Sequence, residues 1–128
     1  MKLTDYSKTK LRRTAKDWYV EDYLFDSMYN YLVYGFGPGS FFTSVLANNF
    51  VDAMTHSHPS NRVSDLKYLV GWMVSHFPTD SFGSYEKVNA WLQLTDDERR
   101  GKLEDAKMIY TCKEEMILSL KDAPLVRG

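Results

Sequence analysis

The chain has little cysteine and no long apolar run. Its single thiol, Cys112, cannot close an internal disulfide or furnish a multi-thiolate zinc site, which fits a reducing compartment. The opening residues Met1-Lys2-Leu3-Thr4-Asp5 lack the apolar stretch of a signal peptide, and no segment is apolar enough to span a bilayer, so a cytoplasmic protein without membrane contact is expected. Histidine is also sparse. His56, His58 and His76 show no recognisable ligand spacing, so neither a metal nor another cofactor is expected. With 44% apolar and 26% charged residues over 128 positions, the composition is that of one soluble globular domain.

The net charge of −1 hides a gradient. Residues 1–16 carry Lys2, Lys8, Lys10, Arg12, Arg13 and Lys16 against the lone acid Asp5, whereas residues 17–128 carry ten basic groups and sixteen acids. The expected organisation is a basic N-terminal arm (1–16), a single helical domain (17–122) and a C-terminal tail (123–128). Such an arm either folds back on its acidic body or contacts phosphates or an acidic partner, attractions that weaken with salt.

Breakers at Gly35 to Ser40, at His58-Pro59-Ser60, at Pro78 to Ser84 and near Thr95 divide the body into five stretches. From Asp17, a candidate N-cap, to Tyr34 the spacing of Trp18, Phe25, Met28, Tyr29 and Leu32 predicts a helix. Val20, Tyr23, Leu24 and Tyr31 make it apolar around much of its circumference, so it is central in the bundle or meets another chain. Ser40 to Met54 reads as a second helix with Ser40 as N-cap and an inward stripe of Phe42, Leu46, Phe50, Ala53 and Met54. Val63, Leu66, Val70, Met73 and Phe77 predict a third, in which Gly71 lets another helix approach closely. Ser84 caps a short fourth helix burying Val88, Trp91 and Leu92. Thr95 and Glu98 form a capping-box signature that opens one long, charged amphipathic helix to about Lys121. The fold class is therefore all-α, a compact bundle of four to five helices with a basic N-terminal arm.

No catalytic set is legible. Asp96, Asp97 and Glu98 suit the first turn of a helix, and Cys112 has no evident partner for nucleophilic chemistry. The most site-like feature is the glycine-rich turn Gly35 to Ser40, which feeds a helix N-terminus where free N–H groups can hold an anion. It lacks the signature of a nucleotide phosphate loop, and a C-cap glycine followed by proline and an N-cap accounts for every residue of it without a ligand. Gly37, Gly39 and Ser40, with the amides of Asn48 and Asn49, are the candidate ligand-binding residues; Lys8, Lys10, Arg12, Arg13, Lys16, Tyr19 and Tyr23 are the candidate partner-binding residues, tyrosine being enriched at interfaces.

The string Pro38-Gly39-Ser40-Phe41-Phe42-Thr43-Ser44-Val45-Leu46-Ala47-Asn48-Asn49, followed by Asn61, Leu69-Val70, Pro78, Gly83-Ser84, Val88 and Trp91, resembles small uncharacterised accessory proteins of tailed bacteriophages. The likeness covers about residues 23–92 and carries no catalytic residues with it. It implies an infected bacterial cytoplasm and a non-enzymatic protein that binds and inhibits a host protein, including one of anti-phage defence. Two alternatives stay open: an oligomeric sponge for an anionic nucleotide signal at the Gly37–Ser40 turn, and a nucleic-acid binder using the basic arm.

Overall fold

Leu3, Ser7, Leu11 and Ala15 stand four residues apart, so helical winding gathers them on one stripe. All four are buried, and residues 5–16 form helix α1 (Asp5–Lys16), capped at its start by the Thr4 hydroxyl. The computed structural model describes residues 2–58 and 62–122; Pro59-Ser60, Asn61 and the expected tail lie outside them. The basic segment is thus a helix folded back on the body, its buried stripe facing the core and its charges on the sides that the stripe leaves open.

Seven further helices follow: α2 (Asp22–Tyr29), α3 (Ser40–Leu46), α4 (Phe50–His56), α5 (Val63–His76), α6 (Tyr85–Gln93), α7 (Asp96–Asp105) and α8 (Cys112–Asp122); no described residue lies in a strand. The fold is all-helical, with eight short helices where four to five were expected. One device accounts for much of the difference. Tyr19, Asn48 and Lys107 adopt left-handed backbone, with φ of 57°, 63° and 60°. At each, the next amide reaches back five residues to a helical carbonyl: Val20 to Ala15 (3.1 Å), Asn49 to Ser44 (2.9 Å) and Met108 to Leu103 (3.1 Å). This is the Schellman ending, which satisfies carbonyls that a helix C-terminus leaves unpaired. It makes Asp17 the C-cap of α1 rather than the N-cap of the next helix, divides the Ser40–Met54 stretch, and breaks the long helix expected from Thr95 to Lys121.

Helix α2 is central. Leu24, Phe25, Met28 and Tyr29, then Tyr31, Leu32 and Val33, are all buried, so its broad apolar surface is covered by neighbours within the chain. Its last turn widens to π geometry over Asn30–Tyr34 and ends at Gly35, φ 68°. Carbonyls there also accept from side chains: the Trp91 indole N–H donates to Tyr31 (3.0 Å), which also accepts the Gly35 amide, and Arg99 Nε to Val33 (3.3 Å). A Cβ at Gly35 would sit 2.6 Å from the Arg99 guanidinium, so the glycine serves both the turn and the close approach.

On α5 the buried side is Leu69, Trp72 and Met73, leading into Phe77, while Val63 of the expected stripe points outward, as does Val74. Gly71 does admit a close neighbour, but it is the Trp18 ring, 2.4 Å from where a Cβ would stand, rather than another helix backbone. α8 is held by polar contacts. The Glu115 carboxylate accepts from Thr4 (2.5 Å), Ser7 (2.6 Å) and Arg100 (2.6 Å), and the Tyr6 hydroxyl donates to Asp122 (2.5 Å). Burial pushes the Glu115 carboxyl up, but hydrogen bonds from Ser7, Thr4 and Arg100 outweigh it and hold the group below its usual range.

Candidate functional site

Splitting the second expected helix rotates its apolar residues away from the core. With Ala53 turned inward on α4, Phe50, Val51 and Met54 of the expected stripe and its surroundings are left 51%, 77% and 49% exposed, and Val63 at the start of α5 is 72% exposed. Met54 and Val63 share a shallow groove with Phe41, Leu66, Ser57 and Arg62. Phe41 also lines an adjoining hollow of about 460 Å³ with Tyr23, Phe42, His56 and His58. Tyr19, held in its left-handed turn, sets its ring 5.6 Å from that of Tyr68 on α5. Tyr23 is thereby the candidate tyrosine on a face made by α2, α4 and α5, with aromatic and aliphatic side chains around an arginine, whereas Tyr19 packs on Tyr68, about 140–160° round α5 from Val63 and Leu66. Scattered apolar side chains are ordinary on a surface, but a contiguous group of this make-up is characteristic of protein-contact sites.

The cationic candidates of α1 do not act as one set. Arg12 pairs with Asp22 (3.2 Å) and lies over the Phe25 ring. Lys8 stands over Tyr29 and Lys10 over Tyr110, on opposite flanks of α1. Arg13 and Lys16 are exposed to solvent. The positive charge is thus partly spent within the molecule instead of forming one phosphate-tracking stripe.

The candidate ligand residues are brought together only in part. Gly39, φ 88°, is the residue before α3, so Ser40 opens that helix instead of capping it. Gly39 and Ser40 line a cleft of about 380 Å³ with Thr43, Ser44, Asp52, His56 and Tyr85. Asn49 caps α4 by accepting from the Asp52 amide, and its own amide donates to the Asp52 carboxylate (2.9 Å) and the Tyr85 hydroxyl (3.1 Å). Gly37 lies in open space and Asn48 in the α3 C-terminal turn. Asp52 puts a carboxylate in the cleft, and its described lining residues include no lysine or arginine, an arrangement that suits hydroxyl or amine donors better than an anion. His76 lines a separate groove closed on one side by the Lys102–Asp80 pair (2.6 Å). Among the described residues, no three His, Cys, Asp or Glu side chains are placed to hold a metal ion, and no helix is long and apolar enough to cross a membrane.

The face of Phe50, Val51, Met54 and Val63 escaped the sequence reading. Its signal was the Asn48-Asn49 pair, two residues with a taste for left-handed backbone and N-caps in the middle of an apolar stretch. Comparison with protein-family models, with curated proteins and with solved structures gives no match.

Proposed function

We propose that the protein is a non-enzymatic recognition protein that binds another protein through the α2–α4–α5 face and acts by occupying it. The observation that carries this reading is the exposed group Phe50, Val51, Met54 and Val63, continuous through Phe41 with Tyr23. Leaving such a group in water is unfavourable by roughly 25 cal/mol for each Å² of apolar area, a cost that a complementary partner removes. The resemblance of residues 23–92 to small phage accessory proteins supports a bacterial host protein as the partner, and inhibition of that protein, including a defence protein, as the consequence. The nucleotide-sponge reading has less support, since the cleft beside Ser40 carries Asp52, and the nucleic-acid reading loses Arg12 to its ion pair with Asp22.

Affinity capture from bacterial lysate, followed by a binding titration with the purified captured protein, tests this reading. A stoichiometric complex that Met54→Glu weakens by about tenfold or more supports it. A melting temperature raised by a cyclic or ADP-ribose-type nucleotide, or a salt-dependent shift on DNA or RNA, with no protein captured, contradicts it.

A further inference from the structure

Helix α8 turns Glu115, not an apolar stripe, toward α1 and α7. Its opposite side carries Met116, Ile117 and Leu120, which are 63%, 43% and 69% exposed. Winding places these three within about 100° of the helix circumference, a compact strip on the side away from α1 and α7, with Ile117 edging a small hollow beside Tyr110. Glu114 and Lys121 are both exposed and stand two turns apart on one flank of that strip. The point midway between them falls between Ile117 and Leu118, at the centre of the strip.

That coincidence selects an occupant. In an antiparallel helix pair related by a two-fold axis, the same flank of each helix meets its counterpart, and residues equidistant from the axis lie level. An axis at the centre of the strip sets Glu114 of one copy level with Lys121 of the other, twice over. A parallel pair would instead bring like residues to one level, Cys112 beside Cys112 among them. We propose that α8 is a self-association surface that pairs antiparallel with α8 of a second copy, Met116, Ile117 and Leu120 forming the seam and Glu114–Lys121 pairs flanking it. A seam of about three turns covers less than the roughly 1,200–2,000 Å² of a stable interface, so the dimer is weak and concentration-dependent. This surface is separate from the proposed partner face, and the two stand or fall independently.

Sedimentation equilibrium of the full chain, from micromolar to several hundred micromolar, tests the proposal. A monomer–dimer equilibrium is expected, weakened by about tenfold or more in Leu120→Glu. Lys121→Glu should also weaken it, and adding Glu114→Gln, which retains the α8 capping interaction with Thr111, should recover part of the loss. Leu120 and Lys121 are exposed, so melting of the dilute monomer should be unchanged in these variants. Under mild oxidation, Ile117→Cys in a Cys112→Ser background should yield a covalent dimer, while the native chain should not cross-link through Cys112. A monomer at every concentration, a dimer untouched by Leu120→Glu, or ready Cys112 cross-linking would overturn the antiparallel α8 pair.

Discussion

Glu115 shows how a single side chain can substitute for an apolar face. It ties α8 to Thr4 and Ser7 at the head of α1 and to Arg100 on α7, and Arg100 is further paired with Glu104 at 2.9 Å. Removing the carboxylate strands the Thr4 and Ser7 hydroxyls and leaves Arg100 with Glu104 alone, so Glu115→Ala should cost about 1–3 kcal/mol in urea unfolding. The pH dependence follows from the depressed carboxyl. A group held lower in the folded than in the unfolded state contributes stability above its unfolded pKa and loses it as pH falls through the folded value. Wild-type stability should therefore drop between about pH 5 and pH 2, and Glu115→Gln should show a smaller drop over that window. Gly71 gives a second residue-scale expectation. Gly71→Ala collides with Trp18 and should destabilise by about 1–2 kcal/mol, whereas in a Trp18→Ala background the same change should be neutral or stabilising through helix propensity. Equal effects in both backgrounds would show that the contact is not the cause.

At the scale of elements, hydrophobic periodicity and N-terminal chemistry were legible, and C-terminal endings were not. The capping box Thr95–Glu98 is present as read, and Ser84 does cap α6. The same pattern recurs at Thr111–Glu114, where each backbone amide is taken by the other residue's side chain, yet it was hidden within a run already assigned to one long helix. The three Schellman endings were missed because the left-handed position usually holds glycine, and here it holds Tyr19, Asn48 and Lys107. The helix within the basic segment went unread for a related reason: six cations drew attention from the Leu3, Ser7, Leu11 and Ala15 stripe beneath them. Lys107 is exposed, and its φ of 60° costs an ordinary side chain energy that glycine avoids. Lys107→Gly should accordingly stabilise the protein by about 0.5–1 kcal/mol in thermal or urea unfolding, and a loss of stability would contradict the capping account.

For the whole molecule, the consequence of many short helices is that apolar residues are divided between a core and a surface. Trp72, Trp91, Tyr31 and Phe25 are enclosed and their polar atoms are partnered, with Trp72 donating to Thr14 at 2.8 Å and Tyr31 to the Ser81 carbonyl at 2.8 Å. Phe50, Val51, Met54 and Val63 remain outside. The turn at Asn48-Asn49 sets this division, since an uninterrupted helix from Ser40 to Met54 would have aligned Phe42, Leu46, Phe50 and Ala53 on one inward side. On the proposed reading this face serves recognition, and its exposed side chains Phe50, Val51, Met54 and Val63, unlike Phe41 and Leu66, stand clear of the core. The most direct measurement is a titration of the captured bacterial protein against wild type, the double variant Val51→Lys/Met54→Glu, and Leu120→Glu as a control on α8. Saturable one-to-one binding by wild type and Leu120→Glu, abolished in the double variant at unchanged melting temperature, is the expected result; equal affinity for all three would contradict recognition through the α2–α4–α5 face.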